Sequence, residues 1–315
     1  MNYLKKSKML RMMYENLMLF LRVYMPVTRA KIAYYLAYKS YCNLSNPKTF
    51  SEKLLWLSLH TYRNNKEILD LSDKYLVREY VRKKIGDNIL NEVYFVQENP
   101  DDIKYEDLPS CFVLKCSQGC TTNFFCMDKT CINADTIKKV VLSWHGSKQY
   151  LYDKLMADIG GIKKRDLKKY YICEQYMLQQ GESSLIDYKI YCFNGIPKAI
   201  LVVADRFENI NGVFMSVDWK ELSRVGDNFH YTNRCFERPR SLETMLNVAN
   251  ILSRDFPFVR VDMYDIDGKA VFGELTFFPG GCVNMKEVTI NGKTMGELLD
   301  ISCEIESYNE NKERL

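Results

Sequence analysis

Histidine is scarce in this chain, with three among 315 residues, and its eleven cysteines include no CxxC pair. A structural zinc site therefore lacks its usual ligand spacing. An odd number of cysteines cannot all pair within one chain, and reduced thiols point to a cytosolic compartment. There is no internal repeat and no low-complexity segment. The apolar run from Leu17 to Met25 is about half the length needed to span a bilayer, and Arg22 breaks it. No small-residue cleavage site follows, which speaks against a signal peptide. What is present is ordinary for a soluble globular protein: 47% apolar and 27% charged residues, on a chain long enough for two packed units.

Positive charge is concentrated at the N-terminus. In residues 1–45 eight basic side chains face Glu15 alone, which leaves that segment at +7 and the remainder at −3. Met9, Met12, Met13, Leu17, Phe20 and Tyr24 recur at helical spacing. Such a helix would either lie on an anionic membrane surface or pack on its own domain.

Thr49 and Glu52 have the spacing of a capping box, so a helix starts there and carries Leu54, Leu55 and Leu59 inward. A second helix is expected from Asp73 to Lys84, ended by Gly86-Asp87-Asn88, and a short buried strand from Cys111 to Lys115. Apolar runs at 170–178, 185–193 and 198–204 read as strands, the last two joined by a hairpin at Gly195-Ile196-Pro197. Ser241 to Ser253 reads as a helix, and 258–263 with 271–277 as a final strand pair. The expectation is a helical N-terminal part followed by an α+β body dominated by antiparallel strands.

The sharpest chemical signal lies in that last pair. Side chains alternate along a strand, so Arg260 and Asp262 share one face, as do Glu274 and Thr276 on the next strand. Whether the two sets meet depends on the turn. A two-residue turn at Asp267-Gly268 would send Asp262 and Glu274 to opposite faces. A three-residue loop, Ile266-Asp267-Gly268, would pair Arg260 with Glu274 and Asp262 with Phe272, and a bulge would restore the same parity. Two close carboxylates repel, and either a hard divalent cation or Arg260 would supply the counter-charge. Asp265-Ile266-Asp267 has the DxD pattern of nucleotide-sugar sites, but Asp and Gly are favoured in a hairpin turn for backbone reasons. Lys115 stands before a loop of small side chains, Ser117 to Thr122, suited to phosphate or to a solvated strand end. Asp187 and Lys189 share the charged face of a half-buried strand, and Glu174 ends an apolar run.

These segments, taken in order from about Asn46 to Leu299, resemble the ATP-grasp superfamily. The likeness is greatest to its branch typified by the teichuronopeptide-biosynthesis (TupA-like) proteins of surface-polysaccharide gene clusters. It rests on Asn46 to Lys53, Asp73-Lys74-Tyr75, Phe112 to Lys115, Glu174-Gln175-Tyr176, Asp187 to Gly195, Asp205-Arg206-Phe207, Phe256 to Asp262 and Gly273 to Gly280. The resemblance implies an α+β ATP-grasp fold, two subdomains gripping ATP after a helical N-terminal segment. Its parts would be a basic helical segment at 1–45, a helical or αβ part at 46–110, a small subdomain at 111–180, a large subdomain with the metal site at 181–303, and a charged tail at 304–315.

The resemblance also implies roles. Lys74 and Lys115 would contact ATP phosphates, with Ser117 and Thr121 on the loop closing over them. Glu174 to Met177 would recognise adenine through the backbone, with Asp187 near the ribose and Lys189 beside the nucleotide. Asp262, Glu274 and Thr276 would hold Mg2+ or Mn2+, while Arg260 and Arg206 would serve the reacting centre. Two positions depart from the family pattern. The loop after Lys115 carries Gln118, Cys120, Thr121 and Thr122 instead of a glycine-rich, histidine-bearing stretch, and Thr276 stands where the superfamily has asparagine.

The implied activity is a cytoplasmic carboxylate-amine ligase that forms an amide through an acyl phosphate. By analogy with the branch it would join an amino acid or other amine to a uronic acid of a bacterial surface polysaccharide such as a capsule, without nucleic acid, and residues 1–45 would offer a peripheral contact with the inner face of the membrane. The alternatives are a glycosyltransferase of the same pathway using Asp265-Ile266-Asp267, and a non-catalytic nucleotide-binding protein.

Overall fold

The computed structural model describes residues 13, 14, 17, 18, 20, 21, 24–119, 122–144, 147–179, 181, 182, 184–204, 211–224, 235–283, 285 and 287–313. Four helices open these residues: α1 (Pro26–Tyr38), α2 (Phe50–Leu59), α3 (Lys66–Leu71) and α4 (Val77–Lys84). The capping box at the start of α2 is formed in both directions, with Glu52 N–H donating to Thr49 Oγ1 at 3.2 Å and Thr49 N–H to Glu52 Oε2 at 3.1 Å. Leu54 and Leu55 are buried and Leu59 packs against the same core, as the spacing predicts. Ala30 and Tyr34 seat α1 on that core. Among the described residues the expected stripe stays exposed at Met13, Leu17, Phe20 and Tyr24, and Val27 and Tyr35 of α1 are exposed as well. Met9 and Met12 lie outside the described residues.

The helix expected from Asp73 starts later, at Val77. Asp73 is fully buried, and its Oδ1 accepts the N–H groups of Tyr75 at 2.8 Å and Leu76 at 3.0 Å. That carboxylate holds residues 73–76 in a turn, the local competition by which Asp resists helix interiors.

Two antiparallel sheets follow. The smaller contains β1 (Val93–Gln97), β2 (Phe112–Cys116), β3 (Asn123–Cys126) and β4 (Tyr171–Glu174), in the order β1-β4-β2-β3. Helix α5 (Ala134–Ser143) covers it, with Ile137 and Val141 against Phe112, Leu114 and Cys173. Helix α6 (Ser147–Ile159) leads from there back towards α3.

The larger sheet has six strands, β5 (Asp187–Phe193), β6 (Ile196–Ala204), β7 (Asn211–Ser216), β8 (Glu221–Arg224), β9 (Phe258–Ile266) and β10 (Lys269–Thr276). Their order is β10-β9-β5-β6-β7-β8. Helix α7 (Leu242–Ser253) lies against β9, β5 and β6, burying Met245, Val248, Ala249 and Leu252 on Val259, Val261, Ile190 and Cys192. The β5–β6 turn is Asn194-Gly195, both with positive φ (48° and 78°), not Gly195-Ile196-Pro197. Ile196 and Pro197 belong to β6, because a two-residue turn with left-handed geometry at both positions matches the strand twist.

The β9–β10 hairpin settles the parity question by a route that combines two of the expected ones. Asp267 and Gly268 (φ 54° and 90°) form a two-residue turn, and Ile266 pairs with Lys269. This replaces the three-residue loop. A bulge between Phe272 and Glu274 then shifts the register, so that Asp262 pairs with Glu274 and Arg260 with Thr276, in place of Arg260 with Glu274 and Asp262 with Phe272. All four polar side chains share one face. A Cβ on Gly273 would lie 2.9 Å from the Asp262 carbonyl oxygen and 3.0 Å from the Tyr264 ring. Gly273→Ala is expected to lower stability by about 1–3 kcal/mol, read as a lower melting temperature; an unchanged melt would mean that the bulge relaxes around the methyl group.

Candidate functional site

The β9 strand carries the charged centre. Arg260 grips Asp262 with two parallel hydrogen bonds, Nε to Oδ1 and Nη2 to Oδ2, both 2.6 Å. From the neighbouring β5, where Lys189 pairs with Asp262, the Lys189 ammonium donates to Asp262 Oδ2 and sits 3.6 Å from Asp187 Oδ1. From β10, Thr276 Oγ1 accepts from Arg260 Nη2 at 3.1 Å and donates to Glu274 Oε1 at 3.0 Å, and Glu274 lies 3.5 Å from Arg260. The Asp262 side chain is 2% exposed and that of Glu274 is 43% exposed. Asp262 is thus fixed by the protein, while Glu274 faces the open cleft.

Burial alone would raise the Asp262 pKa, but Arg260 and then Lys189 outweigh it and hold the carboxyl below its usual range. Burial likewise works to lower the Arg260 pKa, and the field and hydrogen bonds of Asp262 push it up instead. The centre is therefore charged on both sides across the neutral pH range. Strand β5 itself is covered on both faces, so the half-buried strand expected for Asp187 and Lys189 is corrected: α7 covers one side and the cleft-lining elements the other.

The small sheet and the turn before α4 supply the facing wall. Lys74 donates to the Gly119 carbonyl at 2.5 Å, and Lys115 reaches Glu174 Oε2 at 2.5 Å. Glu174 also has Arg78 at 4.0 Å, and Arg78 is itself held by Asn91 Oδ1 at 2.7 Å. Burial would raise the Glu174 pKa, and Lys115 with its other partners reverses that. Lys74, Arg78, Lys115, Met177, Asp187, Lys189, Asp262 and Glu274 all line one cleft of about 110 Å3. Seven of the eight are residues singled out in the sequence; Arg78 is an addition, as is Asn91, which lines the same cleft. Arg78 lies one helical turn beyond Lys74, but its partner Asn91 is distant enough in sequence that no local pattern reveals it.

Two expected roles change. The Ser117 hydroxyl, expected at phosphate, is buried and points inward, donating to Asp73 Oδ2 at 2.7 Å and accepting from Tyr170 N–H at 3.0 Å. It anchors the loop to the turn that carries Lys74, whose own N–H bonds the Ser117 carbonyl. Glu174, expected to open the adenine linker, lies inside the sheet between Val93 and Val113. The segment after it starts at Gln175, whose N–H bonds the Glu92 carbonyl. Thr121 and Arg206 lie outside the described residues. Asp265, of the DxD pattern, accepts Gly268 N–H at 2.6 Å and Ser241 N–H at 3.0 Å. It lies in β9 opposite Ala270, and its side chain braces the turn that Asp267 and Gly268 form.

The charged cleft joins two larger spaces. On one side, Asn91 and Met177 are shared with a cavity of about 460 Å3 walled by Leu90, Leu178, Ile266 and Val271. On the other, Lys74, Asn123, Lys189 and Glu274 are shared with a cavity of about 580 Å3 that also takes in Arg260 and Thr276. The charged cleft thus shares lining residues with two neighbouring cavities, each of mixed polar and apolar lining. Among the described residues no group of three His, Cys, Asp or Glu side chains could hold a metal. The protein offers two carboxylates, Asp262 and Glu274, which fits magnesium, an ion commonly bound through one or two carboxylates with phosphate and water completing the shell.

A family model described as TupA-like ATPgrasp matches residues 52–299. No curated protein matches the sequence. Among solved structures, D-alanine–D-alanine ligase from Bacillus anthracis complexed with ATP is 13% identical, with 78% of this chain and 70% of that chain covered and a TM-score of 0.43. Without ATP noted, the same ligase is 14% identical over 68% of this chain and 60% of its own, with a TM-score of 0.41. N5-carboxyaminoimidazole synthase from Aspergillus clavatus is 11% identical, with 67% and 45% covered and a TM-score of 0.40. The chain thus spans less than two thirds of two of these three matched chains.

Proposed function

The chain belongs to the TupA-like ATP-grasp family, and from that premise we propose that it is an ATP-dependent carboxylate-amine ligase. Carboxylate oxygen attacks the terminal phosphorus of ATP and ADP leaves; the amine nitrogen then attacks the acyl carbon and phosphate leaves. An amine displaces oxide from a free carboxylate very poorly, so the phosphorylation supplies the leaving group. The observation that carries the reading is the Arg260–Asp262–Glu274–Lys189 cluster facing Lys74 and Lys115 across one cleft, beside a cavity with room for a second substrate.

Lys74, Lys115 and Lys189 would hold phosphate oxygens as point charges. Met177 and the apolar walls beside it suit a purine ring, with Asp187 towards the sugar. Asp262 and Glu274 would hold magnesium or manganese, which neutralises phosphate charge when bound. Thr276 keeps Glu274 and Arg260 in register through its hydroxyl. Arg260 remains charged in a buried position, so it can stabilise negative charge developing on the transferred group without rearranging.

The second substrates in this reading are a uronic acid of a surface polysaccharide and an amino acid or other amine. The glycosyltransferase alternative loses its motif, since both Asp265 oxygens are used within the fold. A cytoplasmic enzyme working at the membrane surface is supported by the exposed side chains of Leu17, Phe20 and Tyr24 in a segment of charge +7. No helix among the described residues is long and apolar enough to cross a membrane.

The test is ADP release by the purified protein with ATP and magnesium across panels of uronates and amino acids. Acid- and amine-dependent ADP above background is expected. Stabilisation in a thermal shift by a UDP-, GDP- or CMP-sugar alone, with none by ATP and magnesium, would refute the ligase reading.

A further inference from the structure

Helix α1 forms one wall of the 580 Å3 cavity through Pro26, Arg29 and Ala30. These residues precede those matched by the family model, so this wall is not part of the shared nucleotide machinery. Most other charges around the cavity are already answered. Arg63 is paired with Asp158 at 2.9 Å, Arg260 and Lys189 with Asp262, and Lys74 with a backbone carbonyl at 2.5 Å.

Arg29 is the exception. It is half-buried, and among the described residues no carboxylate lies within ion-pair distance of it. The acidic groups that act on it are the Cys282 thiol and the Tyr14 phenol, both of types that are uncharged near neutral pH. Burial pulls its pKa down, the sign of a cation held where water is partly excluded. A guanidinium in that position, with five fixed donors and no anion, is costly unless a ligand completes it.

We infer that Arg29 anchors a carboxylate on the substrate occupying this cavity, distinct from the nucleotide phosphates. Arg29 and the reactive cluster line the same cavity, so an amino acid held at Arg29 by its carboxylate would keep its amine free to meet the acyl group formed beside Arg260 and Glu274. The proposal rests on the ligase reading for the identity of that molecule as substrate. The anion site itself does not.

The experiment is a thermal shift on the full chain with glucuronate, galacturonate and L-alanine, each beside the counterpart in which the carboxylate is an amide, with and without a non-hydrolysable ATP analogue and magnesium. At least one acid is expected to stabilise the wild type while its amide does not. Arg29→Met should weaken that acid by about tenfold or more and Arg29→Lys by less, since only the fork binds a carboxylate through two donors. The ligand-free melting temperature of Arg29→Met should match or exceed that of the wild type, because an unanswered charge has been removed. Equal binding of acids by wild type and Arg29→Met, equal shifts or no shifts with acids and amides, or a marked drop in the ligand-free melt would each overturn the anchor. Loss of the nucleotide shift in wild type would instead strike the ligase reading and leave the acid comparison readable.

Discussion

Glu274→Gln is expected to lower ADP release by roughly 10³-fold, the scale of several kcal/mol of charge stabilisation at the phosphates, while the protein melts close to the wild-type temperature. The asymmetry follows from where the side chain sits. It is 43% exposed and its polar contacts within the site are to Thr276 at 3.0 Å and Arg260 at 3.5 Å, so little of the fold leans on its charge. Glutamine keeps the shape and one oxygen but removes the negative charge that a hard cation requires. Paired measurements of turnover and melting decide the matter. Wild-type turnover in the variant would remove Glu274 from the chemistry and favour a non-catalytic nucleotide-binding protein.

Asp262→Ala is expected to fail differently, by destabilising the fold as well as silencing the site. Removing one partner of a buried charge group typically costs about 3–5 kcal/mol, because the others are left without compensation. Here the remainder would be Arg260 and Lys189, each 12% exposed, left with the looser ion contacts to Glu274 at 3.5 Å and Asp187 at 3.6 Å. With roughly 2–4 °C lost per kcal/mol in a domain of this general size, the melt should fall by about 10 °C. The stabilisation by ATP and magnesium should vanish with it. A variant that melts like the wild type would show that Arg260 and Lys189 find other partners, and the account of the cluster as a mutually dependent unit would be wrong. Glu274 and Asp262 are paired across one ladder, yet one is expected to matter for chemistry alone and the other for chemistry and folding.

Local signals were legible where the physics is local. The capping box at Thr49 and Glu52 needs only four residues, and the alternation through Val259, Arg260, Val261 and Asp262 needs only the pleat of one strand. Both appear as read. The start of α4 was misjudged because Asp73 has two competing uses, and its choice depends on Ser117, 44 positions away. The same contact turned Ser117 inward. The hairpin at 266–269 could not be resolved by counting, since a longer loop or a bulge gives the same parity; the chain uses the bulge, and Gly273 was the available sign. The strand expected over 170–178 stops at Glu174, whose ion pairs with Lys115 and Arg78 arise only when β4 lies beside β2. Arg29 had no local signature at all, being one of eight basic residues in its segment.

The four charges around Asp262 also bear on how the protein lives without its ligands. Arg260, Lys189, Asp262 and Glu274 sum to zero, so the ligand-free site is a small internal salt, complete in itself. On the proposed reading a nucleotide and its metal would arrive as an exchange of partners, Asp262 and Glu274 turning to the metal and Arg260 and Lys189 to phosphate oxygens. Much of the desolvation of Asp262, Arg260 and Lys189 was met when the chain folded, whereas Glu274 stays open to the cleft. A metal held there would be a guest in a site that stands without it, and removing it would be expected to stop the proposed reaction before it unsettles the fold.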